Sequence, residues 1–278
     1  MFRSWITATG VLVIAAAAVL VAWGVGAFGP GQPDVPAAHA TTHLAQAKAA
    51  DMGQALLLIQ TARDKFAPVK DYRATFLRDE LIDGELKQNH VILRVRHEPF
   101  GVHMEWLAPA SKKGRRTAYV MGQNDGKMLV REPLAGRFAV TVRRDPEESM
   151  KRKESRHTIR EAGYRNLVEK YVKGWKREKE LGRTQVTLQD GELKLNLGDR
   201  ELKFPCTVVT TKHDVKDRDQ FTFFRSRLYF HKDTGQLIRV EGYDWPSRPQ
   251  DQDGELSERY TYLEMETNVG LTDADFRF

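Results

Sequence analysis

The sequence predicts an α+β fold: a curved antiparallel sheet or incomplete β-barrel with a leading helix and a central helical lid. Three observations predict it. Beyond Pro68, short runs of β-branched and aromatic residues alternate with period two and are separated by recurrent Asp-Gly turn signals. Residues 42–66 are dominated by good helix formers, with Met52, Leu56, Ile59 and Phe66 on one stripe. A second helical pattern interrupts the strands, where Tyr164, Leu167, Val168, Tyr171, Val172 and Trp175 form a wide apolar face at i, i+3, i+4, i+7, i+8 and i+11.

Taken from the start, residues 5–28 carry no charge and are long enough to span a bilayer, which takes about 20 residues. Arg3 precedes this run and no Lys or Arg comes after it until Lys48, so the charge bias keeps the N-terminus inside. The expectation is a single-pass anchor in the inner membrane with the rest of the chain on the periplasmic side of the cell envelope. The alternative is a signal peptide cleaved after Ala40, since Ala38-His39-Ala40 offers a small-x-small pattern. Both readings export the remainder of the chain. Residues 29–41, rich in Pro, Gly and Ala, read as a linker, and residues 42–278 as a single β-rich domain.

Pro68 is expected to end the leading helix. After it, Asp83-Gly84, Asp125-Gly126, Asp190-Gly191, Asp233-Thr234-Gly235 and Asp253-Gly254 each read as hairpin turns in a meander. Asp-Gly-Glu-Leu occurs three times without a fixed period, which is repeated turn chemistry and not a repeat protein. Val91, Leu93 and Val95 are expected on one face, as are Val102, Met104 and Trp106, and Phe138, Val140 and Val142. Residues 147–160 are expected to be helical but mostly charged. Strands resume over residues 184–265, and residues 268–278 close the domain.

Candidate sites are few. No hydrolase elbow, phosphate-binding Gly loop, dinucleotide fingerprint or zinc spacing is present, so no enzyme and no cofactor is expected. His97 and His103 flank a turn, with His90, Glu98 and Glu105 near in sequence, but the ligand set is incomplete and no metal is expected. The adjacent carboxylates Asp79 with Glu80, and Glu147 with Glu148, read as solvated surface. Cys206 reads as a buried strand residue.

A net charge of +6 and the basic residues Lys151, Arg152, Lys153 and Arg156 invite a polyanion partner. That run lacks aromatic interleaving, so nucleic acid is not expected. An anionic membrane surface fits the run better, beside the alternative of a merely solvated face. The large side chains Met104, Trp106, Tyr119, Leu167, Tyr171, Trp175, Phe223, Tyr229 and Trp245 are candidates to line a cavity for an apolar ligand, or else to fill the core.

Four strings add a resemblance: HEPFGVHMEWLAPASKKGRR (97–116), YVMGQNDGKMLV (119–130), EGYDWP (241–246) and NVGLTDADF (268–276). From about residue 50 to the end, the chain resembles the bacterial family called domain of unknown function 1571. That family is similar in layout to lipoprotein carriers and receptors of the LolA/LolB type, in which helices close an incomplete antiparallel barrel over an apolar cavity. The resemblance implies a LolA-like fold with the helix from Tyr164 to Trp175 as its plug. It implies no catalytic residues at Trp106, Asn124, Asp125, Tyr243, Asp244 or Trp245. The expected function is to bind a lipid, acyl chain or lipoprotein as a membrane-tethered carrier or receptor. An envelope sensor or scaffold with a protein partner is the alternative, and an enzyme acting on envelope components the third.

Overall fold

The computed structural model describes residues 40–134, 138–247 and 253–278. The apolar run at 5–28 and the linker through residue 39 lie outside the described residues. The chain enters as two short strands, Ala40–Leu44 (β1) and Lys48–Ala50 (β2), before the first helix, Met52–Phe66 (α1). A meander comes next: Asp71–Ile82 (β3), Glu85–His97 (β4), Phe100–Ala108 (β5), Arg116–Val120 (β6), Met128–Pro133 (β7) and Ala139–Arg144 (β8). One helical turn, Glu148–Lys151 (α2), and the long helix Tyr164–Leu181 (α3) interrupt it. A second meander comprises Gln185–Leu197 (β9), Arg200–Lys212 (β10), Arg225–His231 (β11), Leu237–Tyr243 (β12) and Leu256–Thr267 (β13).

The thirteen strands of the described residues join one antiparallel sheet, in the order β1-β9-β10-β11-β12-β13-β3-β4-β5-β6-β7-β8, with β2 also on β9. The two meanders meet where β13 pairs with β3. Since β1 and β8 are not paired with each other, the sheet is unclosed, which is the expected α+β architecture.

Alternation sorts the residues onto two faces. One face carries Phe76, Val91, Leu93, Val95, Val102, Met104, Trp106, Val130, Leu228, Phe230, Tyr260 and Tyr262, which form the main core together with α1 and α3. The buried residues of α3 are the six predicted from their spacing, and those of α1 include all four of its stripe. On the opposite face, Leu193, Leu195 and Leu197 from the far half of β9 cluster with Leu77 of β3, Tyr229 of β11 and Leu263 of β13. Arg200 at the start of β10 pairs with Glu264 at 2.6 Å, so the β9–β10 arm lies across the outside of β13. Cys206 is fully buried there, and burial pushes its thiol up to about 11. Phe276 packs with Ala118 and Val120, so the C-terminal segment covers the outside of β6.

Several expectations are corrected. The leading helix begins at Met52, not residue 42: Asp51 caps it, accepting from Gln54 N at 2.9 Å while Gln54 Oε1 accepts from Asp51 N at 3.1 Å. Ala40 and Thr41 belong to β1 and not to the linker; Ala40 pairs with Leu195. Asp83-Gly84 does turn a hairpin, both residues having positive φ. Asp190-Gly191 does not, for it lies within β9 opposite Thr207 and Cys206. Gly191 is there because β1 crosses so closely that a Cβ would collide with the His43 carbonyl oxygen. Just before edge strand β8, Phe138 is 77% exposed, Val140 within it is 47% exposed, and of the expected face only Val142 packs on the core. Residues 147–160 are not a helix: beyond α2 the chain is irregular up to a 3-10 turn at Ile159–Glu161.

Candidate functional site

The helices do not cover the whole core face. Where α1 and α3 lie on it, rings fill the space: Phe66 and Tyr164 have centroids 4.4 Å apart, and Tyr164 and Tyr262 meet edge-on at 5.4 Å. Tyr164 N donates to Tyr72 Oη at 2.7 Å, and Tyr164 Oη accepts from Leu237 N at 2.9 Å, which ties α3 to β3 and β12. Further along the sheet, the roof passes from α3 to the irregular segment before it. Beneath that segment is an open cavity of about 730 Å³.

Its floor is apolar, built from Phe76, Met104, Trp106, Met128, Val130, Tyr260 and Tyr262 on the strands, with Ile159 and Leu167 opposite. Its rim is charged: Arg78, Lys112, Arg115, Arg160, Lys170 and Lys173 face Glu80, Glu154, Glu161 and Glu169. The wall is amphipathic because Phe76, Arg78 and Glu80 share the inward parity of β3. Glu80, 1% exposed, accepts from Tyr260 Oη at 2.7 Å, from Arg156 N at 3.3 Å and from Ser155 Oγ at 3.4 Å.

The same contacts fasten the roof. His157 Nε2 lies 2.7 Å from Glu258 Oε2 and its Nδ1 3.1 Å from Glu161. Burial alone would lower the His157 pKa, but the bond and charge of Glu258 outweigh it and raise it. Burial would raise Glu258, and the bond to His157 instead holds its carboxyl low. Arg115 Nη2 donates to Glu154 at 2.8 Å, and Arg78 Nη1 to Ser155 Oγ at 3.2 Å. The roof is therefore tied to β3 and β13 by polar contacts.

Of the nine predicted cavity residues, Met104, Trp106 and Leu167 line this space. Tyr119, Tyr171 and Trp175 are buried in the main core without lining it. Phe223, Tyr229 and Trp245 are elsewhere: Phe223 stands against Gly242, Tyr229 on the opposite sheet face with Oη donating to Glu241, and Trp245 beside Phe224. Of the four basic residues, Arg152 pairs with Glu148 and Glu154, Lys153 with Asp83, and Arg156 with Glu258. Arg156 is thus part of the roof's fastening, while Lys151 has no ion-pair partner among the described residues.

Asp79 and Glu80 are not solvated surface, since both are buried. Neighbours on a strand point to opposite faces, so Asp79 meets Arg259 outside at 2.6 Å while Glu80 faces the cavity. His97 and His103 also separate: His97 donates to the Val69 carbonyl among core rings, whereas His103 accepts from Arg94 beside Phe278. Burial and the Arg94 guanidinium push the His103 pKa down to about 4. Among the described residues, no three His, Cys, Asp or Glu gather as a metal site. Sequence reading missed the rim cations Arg78, Lys112 and Arg115, although a polar continuation of the inward period on β3 is a readable signal.

Comparison with known proteins places the chain among relatives. A family model described as "Protein of unknown function (DUF1571)" matches residues 69–278. Among curated proteins no sequence matches. Similar solved structures include the lipoprotein LppX of Mycobacterium tuberculosis, at 14% identity and TM-score 0.40, covering 79% of this chain and 98% of that one. A LolA superfamily protein of Nitrosomonas europaea aligns at 11% identity and TM-score 0.35, covering 80% and 96%. A DUF1329 family protein of Desulfovibrio piger aligns at 15% and 0.36, covering 82% and 98%.

Proposed function

The chain belongs to the DUF1571 family, and with that as the premise we propose that it is an envelope protein which takes an acyl chain or other apolar ligand into the cavity beneath residues 145–163. The single observation that carries this is the cavity itself: about 730 Å³, apolar on its floor, within the usual range for ligand sites. A chain entering it leaves water for Met104, Trp106, Met128 and Val130, a gain of about 0.8 kcal/mol per buried methylene. Binding by sequestration asks for no reacting groups, and we read the protein as a binder and not an enzyme. The uncharged run at residues 5–28 supports tethering at a membrane surface, where such ligands are found. Among the described residues no helix is long and apolar enough to cross a membrane.

The test uses the full chain in a membrane with a photoactivatable fatty acid, the crosslinks being mapped by mass spectrometry. Labelling concentrated on β5, β7 and the residues around Ile159 is expected. Labelling confined to residues 5–28, or spread evenly, would sink the proposal.

A further inference from the structure

Cations are unevenly placed around the cavity. Arg78, Lys112 and Arg115 gather at one end: Arg78 Nη2 donates to the Glu154 carbonyl at 3.5 Å and Arg115 Nη2 to the Glu154 carboxylate at 2.8 Å. Trp106 forms the floor beside them. Its Nε1 and Lys112 Nζ donate to the same Asn89 Oδ1, at 3.0 and 3.3 Å, and the Arg115 guanidinium lies 5.4 Å from the indole ring.

These three cations are not equally compensated. Arg115 has Glu132 and Glu154, and Arg78 has Glu80 at 3.7 Å. Lys112 donates only to the neutral Asn89 amide, and among the described residues no carboxylate comes within ion-pair distance of it, the Glu154 charge acting from further off. Burial first, then the charges of Arg78 and Arg115, lowers its pKa against the opposing pull of Glu154, and three cations converging at one end of the cavity favour an anion there. A half-buried charge without a directly bonded counter-charge is costly, and a neutral polar group supplies a hydrogen bond without the charge. From Trp106 the apolar floor runs on through Met104, Met128 and Val130.

We propose that the cavity's ligand is an amphiphile with an anionic head, a phosphate or carboxylate seated on Lys112 and Arg115, with its chain along the floor from Trp106. This rests on the reading of the cavity as an acyl-chain site. It adds a chemical class: acidic lipids or fatty acids over neutral ones.

The full chain in phosphatidylcholine nanodiscs is given trace probes that share one photoactivatable acyl chain and differ in head, either phosphate or hydroxyl. Crosslinking to β5 and β7 is expected to favour the phosphate probe by roughly tenfold, the value of one charge-assisted contact. Lys112→Gln should erase most of that preference without changing the hydroxyl probe, and Lys112→Arg should keep it. Equal labelling by both probes overturns the headgroup inference and leaves the acyl-chain reading standing. A preference unchanged in Lys112→Gln overturns the assigned seat. Absence of cavity labelling by either probe overturns both readings. Since Lys112 holds no ion pair, its variants keep every salt bridge of the fold, and a matching unfolding midpoint checks that they do.

Discussion

The two halves of the sheet's inner face are finished in different ways. Under α1 and α3 the space is filled by rings, and Tyr72, Tyr164 and Trp175 are almost fully buried. Under residues 145–163 a roof is held by His157, Ser155, Arg156 and Glu154, and the space below is open. Apolar packing is dense, non-directional and costly to undo, whereas a few polar ties hold one position and can be released singly. The fold therefore keeps its stability in the packed half and can open at the roof.

The largest expected effect tests the packed half. Trp175→Ala should cost about 3–5 kcal/mol, as for other buried aromatic truncations, read from the denaturant midpoint. A loss below about 1 kcal/mol would erase the contrast between the halves. Next comes the roof: His157→Ala removes one partner of buried Glu258, leaves Arg156, and should cost about 1–3 kcal/mol. Much of that cost should be local, so trypsin should cut faster after Lys151–Lys153 while hydrogen exchange under α1 stays slow.

pH should move the two regions in opposite directions. The His157 pKa is raised, so its tie to Glu258 is complete below the ordinary histidine value and is lost as pH rises through the folded value. In the packed half His97 stands among the rings of Phe66 and Tyr72, where burial first lowers its pKa, so the cost of holding it neutral appears as pH falls below the ordinary histidine value. Protection of the amides at residues 155–161, relative to their intrinsic exchange rates, should therefore fall with alkali, and global stability should fall with acid. A common pH profile for both regions would show that they are not separately held. The smallest effect on stability is Leu167→Trp, which grows from α3 into open space and should shift the midpoint by less than about 1 kcal/mol. The same variant should abolish acyl-chain crosslinking, sharpening the distinction between space that serves the fold and space that does not.

Much of the packed half was legible in the sequence. The α3 stripe was readable because six apolar residues at one spacing admit one buried face, and Val91 to Trp106 because alternation is strict. The roof was not legible, since the charges of residues 147–160 fit a helix locally while their partners Glu80 and Glu258 are some 75 and 100 residues away. Asp-Gly-Glu-Leu shows the same limit: it turns at Asp83, yet at Asp190 it runs straight because β1 arrives from a distant part of the chain. Aromatic identity alone did not separate Trp106 from Tyr229. Position within the alternation, and which strands end up adjacent, decides which face meets the cavity.

The joint between β13 and β3 has a consequence in time. A chain made from its N-terminus can pair β3 through β8 with near neighbours as they emerge, but the other edge of β3 stays bare until Leu256–Thr267 is synthesised. β1 waits as well, for β9. Such late pairings slow folding and leave an adhesive strand edge exposed in the nascent chain. The growing protein thus passes through a stage at which its first half is ordered, its future seam is open, and protection from its neighbours must come from outside.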